Sequence, residues 1–220
     1  KNSKPYKRRV PYKLVSTMRA GVLTMGSLLG RYQKKKIYVA KGGGCSLGIR
    51  DINYHLSGFE SLAAEHRLEK GYVRIYSKNG LVGGSYKFPK VSVTGTSNLI
   101  MAAVLSKGIH IIRNISIEPE VIDLITFLNS SGSKIKFIGK RSVKILGVTE
   151  LKKGEHTIIG DRIEAFSYLC VGAITKGNVL VKKINPKFLS TEIEVLKKMG
   201  CMVKTGRDYI FIKSKKNIFQ

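Results

Sequence analysis

The run "KGGGCSLGIR" (Lys41–Arg50) concentrates the side chains best suited to chemistry. Three glycines lead into Cys45, Lys41 stands before it, and Arg50 follows. Cations near a thiol lower its pKa and raise the thiolate fraction. Arg50 lies just before a helix expected to begin near Asn53. A guanidinium fork beside the positive end of a helix suits a phosphate or a carboxylate. The glycines admit backbone angles closed to other residues, so the loop can swing or present bare N–H groups. The pattern is neither a Walker A loop nor GxGxxG. From these residues alone two readings stand open: a mobile thiol beside an anion site, or a flexible loop that carries an unimportant cysteine.

The two other cysteines, Cys170 and Cys201, show no CxxC or Cys/His spacing, so no metal is expected. Reduced thiols in a cytoplasm is the simplest reading. Cys170, in the apolar run "FSYLCVGAI", is expected to pack in a core, and Cys201 to start a half-buried strand. Forty Lys and Arg against fourteen Asp and Glu give a net charge of +26, which invites a nucleic-acid hypothesis. The cations are mostly scattered, however, with small clusters at Lys7–Arg9 and Lys34–Lys36. No zinc finger, RNA-recognition aromatic motif or recognition helix is legible. An anionic small substrate therefore leads, and nucleic acid is the minor reading. No apolar run reaches membrane-span length, and the first residues lack a hydrophobic signal core. The chain starts at Lys1 rather than Met, so its true start is expected upstream.

The elements that must position the loop repeat. Residues 97–147 and 164–213 each read as an apolar helix, Lys-Gly, an alternating strand, an amphipathic helix, Gly and two short strands. Residues 17–77 follow the same plan: a helix over 17–31, a strand over 36–40, a helix over 53–65, and a strand pair over 66–77 turning at Lys70-Gly71. A leading strand is expected before each first helix, near 12–15, 89–93 and 156–160. Helices with apolar faces this broad must be buried, with sheets packed around them. Only the first repeat inserts "KGGGCSLGIRDI" between its strand and second helix, and an insertion in one copy is where function is expected.

Five landmarks in order, "PYKLVSTMRAGVLTMGSLLGR", "GGCSLGIRDINYHLSG", "PKVSVTGTSNLIMAA", "EPEVID" and "GDRIEAFSYL", resemble the UDP-N-acetylglucosamine 1-carboxyvinyltransferase family of enolpyruvyl transferases. The resemblance runs from about Pro11 to about Lys213. It implies an α/β fold: a two-lobed, inside-out α/β barrel of six βαβαββ units. Residues 1–160 would be two units of the lobe carrying the cysteine loop, and 161–220 the first unit of the other lobe. It implies transfer of the enolpyruvyl group of phosphoenolpyruvate to the 3-hydroxyl of UDP-N-acetylglucosamine, releasing phosphate, as the first committed step of peptidoglycan synthesis. It implies no cofactor, no membrane partner, a cytoplasmic enzyme and fosfomycin as inhibitor.

Carried over by position, the resemblance makes Cys45 the catalytic loop cysteine, a proton donor to phosphoenolpyruvate and the residue fosfomycin alkylates. Arg50 would hold the phosphate of phosphoenolpyruvate. Arg50, Asp51, Ile52, Asn53 and Tyr54 match a segment lining the UDP-sugar site. Arg19 and the run Lys90, Val91, Ser92 and Val93 match two further contacts. The family reads Arg-Pro-Val-Asp-Leu-His where this chain reads "RDINYH", so Asp51 sets a carboxylate beside Arg50 in place of a proline. His55 matches a family histidine for which orienting a neighbour and exchanging a proton both stay open. Glu118 and Glu120 read as charges at a helix start. The family's other catalytic residues lie outside this chain, so it reads as a fragment, inactive by itself. The rivals are 5-enolpyruvylshikimate-3-phosphate synthase, which lacks the Gly-Gly-Cys loop, an RNA 3′-terminal phosphate cyclase-like protein, and a basic nucleic-acid-binding module.

Overall fold

A computed structural model describes residues 8–15, 18–40 and 51–214. The chain divides into two compact units, Lys1–His156 and Thr157–Gln220.

The first unit holds two repeats. A single helical turn, α1 (Tyr12–Val15), precedes a 3-10 turn (Arg19–Leu23) that runs into α2 (Thr24–Tyr32). Then come β1 (Ile37–Ala40), α3 (Asn53–Glu60), β2 (Glu65–Glu69) and β3 (Tyr72–Tyr76). The second repeat is β4 (Val82–Lys87), α4 (Val93–Ala103), β5 (Lys107–Arg113), α5 (Pro119–Ser130), β6 (Lys134–Gly139) and β7 (Ser142–Leu146). The second unit holds a third repeat: α6 (Arg162–Ile174), β8 (Asn178–Lys182), a 3-10 turn (Pro186–Leu189), α7 (Ser190–Lys198), β9 (Met202–Thr205) and β10 (Tyr209–Lys213).

The repetition extends to strand order. The sheets run β1-β3-β2, β4-β5-β7-β6 and β8-β10-β9. In each repeat the last strand lies between the other two and pairs antiparallel with both. The second repeat adds β4, parallel to β5. A strand, a helix and a parallel strand make a crossover unit that lays α4 across the sheet.

The expected leading strands are displaced. Tyr12–Val15 is helical, because Pro11 opens a turn that closes with Val15 N–H donating to the Pro11 carbonyl at 3.3 Å. The pairing falls just upstream, where Arg9 bridges parallel to Tyr38. Residues 89–93 are not a strand either, since Ser92 caps α4 and starts it at Val93. The leading strand is β4, whose Gly83 and Gly84 hide a strand from propensity. A Cβ at Gly84 would stand 2.2 Å from the Ser61 carbonyl oxygen, so the close approach excludes any larger residue. Residues 156–160 form no strand. Two helices are also shorter than expected: the one begun near Thr17 opens as the 3-10 turn at Arg19, and α3 stops at Glu60, with Glu65 already in β2.

In the first unit the helices lie at the centre. α4 is buried through Thr96, Asn98, Leu99, Ile100, Ala102 and Ala103, and it meets α2, α3 and α5. Close approach is licensed by two glycines of α2. A Cβ on Gly26 would stand 2.2 Å from the Asn98 carbonyl oxygen, and one on Gly30 2.8 Å from that of Met101. In the second unit α6 buries Ala165, Leu169, Gly172 and Ala173 against its own sheet. Its Ile163, Tyr168, Val171 and Ile174 are each more than half exposed. Cys170 is half-buried rather than in a core, though desolvation still pushes its thiol pKa up. Cys201 is buried just before β9.

Candidate functional site

The contacts of α4 fix the direction of its neighbours. Gly26 lies by Asn98 and Gly30 by Met101 and Ala102, so α2 runs parallel to α4. His55 reaches Thr94 and Asn98 while Gly58 lies by Leu99, so α3 runs parallel to α4 as well. The 3-10 turn feeding α2, the start of α3 and the start of α4 thus sit at one end of the bundle. The positive ends of three helix dipoles favour an anion there.

Each start is built locally. Asp51 precedes α3, and its Oδ1 accepts from Asn53 N–H at 2.8 Å while Oδ2 accepts from the Asn53 amide at 2.7 Å. Its carboxylate thus satisfies the N–H of the first residue of α3. Ile52 and Tyr54 are half-buried, Asn53 is exposed, and the Tyr54 carbonyl accepts from the Tyr86 hydroxyl at 3.3 Å. At α4, Ser92 Oγ accepts from Gly95 N–H at 3.1 Å, Val93 is the first helical residue, and Lys90 and Val91 are exposed just before it. Arg19, half-buried, opens the 3-10 turn.

Between the three starts lies a polar cluster that the sequence did not single out. Asn98 is fully buried. Its Oδ1 accepts from Gly26 N–H at 2.9 Å, and its Nδ2 donates to the Val22 carbonyl at 2.9 Å and meets His55 Nδ1 at 2.8 Å. His55 Nε2 faces Thr94 Oγ1 at 3.4 Å. Burial first, and the Arg19 guanidinium second, lower the His55 pKa from 6.5 to about 4 against the opposing pull of the Asp51 carboxylate. These couplings place Arg19 and Asp51 in the same electrostatic neighbourhood as the imidazole.

The structure therefore gathers Arg19, Asp51, Ile52, Asn53, Tyr54, Ser92 and Val93 at one end of the bundle, with Lys90 and Val91 adjoining. Cys45 and Arg50 lie outside the described residues. His55 and Asn98 join the cluster, and the only sequence signal for Asn98 is a polar residue inside an otherwise apolar helical run. Glu118 and Glu120 flank Pro119 at the start of α5. Among the described residues no group of three or more His, Cys, Asp or Glu is placed to hold a metal ion. No helix among them is long and apolar enough to cross a membrane.

A family model described as EPSP synthase (3-phosphoshikimate 1-carboxyvinyltransferase) matches residues 2–219. The chain belongs to this family. Curated relatives named UDP-N-acetylglucosamine 1-carboxyvinyltransferase are 43% identical over 99% of the chain (Pelagibacter ubique), 42% over 99% (Endomicrobium trichonymphae) and 44% over 89% (Myxococcus xanthus). The chain spans about half the length of these relatives: 52%, 51% and 46%. Among solved structures, the enolpyruvyl transferase NikO from Streptomyces tendae superposes with a TM-score of 0.78 at 16% identity, covering 96% of this chain and 50% of that one. An EPSP synthase from Acinetobacter baumannii superposes with a TM-score of 0.61 at 22% identity, covering 88% and 46%. The fold of this family member is thus the inside-out α/β fold of the enolpyruvyl transferases.

Proposed function

We propose that this chain is the part of a UDP-N-acetylglucosamine 1-carboxyvinyltransferase that carries the cysteine loop and most of the UDP-sugar contacts. The enzyme transfers the enolpyruvyl group of phosphoenolpyruvate to the 3-hydroxyl of UDP-N-acetylglucosamine and releases phosphate. This is the first committed step of peptidoglycan synthesis, carried out in the cytoplasm. The observation that carries the reading is sequence identity of 42–44% to relatives of that name, joined to a Gly-Gly-Cys insertion in one repeat only. The helix-start geometry supports it, because a UDP-sugar brings two phosphates and phosphoenolpyruvate a third. Residues 1–160 serve as two units of the first lobe and 161–220 as the first unit of the second.

In this reading Arg19, Lys90 and the N–H groups at the start of α4 hold the diphosphate, and residues 51–54 line the nucleotide. Arg50 holds the phosphate of phosphoenolpyruvate. Cys45 gives a proton to the methylene carbon, a task that needs a thiol pKa near working pH. As thiolate it opens the fosfomycin epoxide, forming a carbon–sulfur bond.

Peptide mass mapping after exposure to fosfomycin tests the reading. In the complete protein Cys45 is expected to carry the adduct, UDP-N-acetylglucosamine to speed it, and buried Cys201 and half-buried Cys170 to stay unmodified. An adduct on Cys170 or Cys201 with Cys45 untouched, in a folded and complete protein, overturns it.

A further inference from the structure

Asn98 sits between two backbone groups that leave its amide no choice of orientation. Gly26 N–H can only donate and the Val22 carbonyl can only accept. The side-chain oxygen must face Gly26 and the nitrogen must face Val22, so the usual ambiguity of an amide flip is absent. The nitrogen carries two hydrogens. One goes to Val22, and the other points to His55 Nδ1 at 2.8 Å. A donor aimed at Nδ1 requires a lone pair there. The neutral ring then carries its proton on Nε2, directed at Thr94 Oγ1 in the first turn of α4.

We propose that Asn98 is a positioning residue, which holds the His55 imidazole as a neutral Nε2–H donor at the shared end of three parallel helices, so that His55 orients groups there and exchanges no proton. The proposal rests on the UDP-sugar reading for what binds at that end, but the tautomer stands independently of it. Protonating Nδ1 would set N–H against N–H, with neither partner able to turn away. Among the described residues, the charged groups acting on the ring are Arg19 from the 3-10 turn and Asp51 before α3, and α4 meets it through the uncharged Thr94 and Asn98. His55 and Asn98 are both buried, so a lost partner is not replaced by water. The same contacts tie α2, α3 and α4 into one register, which keeps Nε2 aimed at Thr94 Oγ1 in the first turn of α4.

Nitrogen-15 NMR of the histidine side chains in the full chain tests this, with the His55 signals assigned by their loss in His55→Gln. The wild type is expected to show Nε2 protonated, Nδ1 unprotonated, and no titration from about pH 8 to about 5.5. Asn98→Asp replaces the donor with an acceptor. It is expected to move the proton to Nδ1 and bring the titration back to or above the ordinary histidine value of about 6.5. Binding of UDP-N-acetylglucosamine is expected to be flat over this pH range in wild type. In Asn98→Asp it weakens about tenfold at pH 8, where Nε2 no longer donates to Thr94 at the start of α4, and recovers below about pH 6, where the doubly protonated ring donates again. A wild-type ring protonated on Nδ1, or one titrating near 6.5, overturns the proposal. So does an Asn98→Asp protein with the wild-type tautomer. If Asn98→Asp does not fold, the wild-type spectrum decides. Absence of UDP-sugar binding to a wild type of the expected tautomer refutes the substrate reading and leaves the tautomer assignment supported.

Discussion

Asn98, on the central helix, donates to His55 Nδ1 at 2.8 Å from a side chain whose other atoms are committed to the turn before α2 and to α2 itself. One buried amide therefore joins three helix starts that are far apart in sequence. The neutral imidazole it holds has a consequence for stability.

Stability should fall with acid. His55 and fully buried His110 both have pKa values lowered to about 4 by burial. Between about 6.5 and about 4 the unfolded chain binds protons that the folded chain does not, so the stabilisation is present above 6.5 and lost as pH falls through that window. Each histidine accounts for on the order of 3 kcal/mol across the full window. Urea unfolding at pH 7 and pH 5 should give a lower midpoint at pH 5, and replacing His110 with a similar-sized uncharged residue should flatten the difference. Equal midpoints at the two pH values would contradict this.

Gly26→Ala should loosen the bundle. The added carbon would stand 2.2 Å from the Asn98 carbonyl oxygen, which belongs to a buried helix backbone and cannot swing aside. Overpacking of this kind costs about 1–3 kcal/mol, and separating α2 from α4 also strains the Asn98 contacts. Thermal unfolding should show the loss. Ser27→Ala, one residue on and exposed, should leave stability within about 0.5 kcal/mol.

Asp51→Ala should separate stability from binding. Losing the acceptor for Asn53 N–H should cost about 1 kcal/mol. Removing a negative charge from the anion-binding end should tighten UDP-sugar binding. Chemical denaturation and calorimetric titration of one variant check both signs, and weakening of both would put the carboxylate in the site as a ligand contact.

The repeat was legible because Lys-Gly corners, apolar helices and paired short strands recur at fixed spacing. The resemblance of the Gly-Gly-Cys run identified the family. What escaped was set by neighbours distant in the chain. β4 was hidden by Gly83 and Gly84, whose lack of side chain answers to the backbones of Ile109 and Ser61. The pairing at Arg8–Val10 was displaced from 12–15 by a helical turn begun at Pro11. Cys170 read as core because its helix is apolar all round, yet its unit offers only one sheet to cover it. Asn98 read as nothing in particular, since a polar residue in a helix becomes informative only when its partners, from residue 22 to residue 55, are in place. Asp51 looked like an intruder beside Arg50, and its engagement with Asn53 appears only once the start of α3 is built.

The central claim is that the shared end of α2, α3 and α4 binds the diphosphate of a UDP-sugar, and calorimetric titration with UDP-N-acetylglucosamine tests it most directly. The wild-type chain should bind. Arg19→Ala should weaken binding about tenfold or more, as expected for a lost charged hydrogen bond. Lys136→Ala, which removes an exposed cation of the same sign from β6, should leave it unchanged. An Arg19→Ala chain that binds as well as wild type, or a Lys136→Ala chain weakened equally, would contradict the account and reduce the attraction to overall charge.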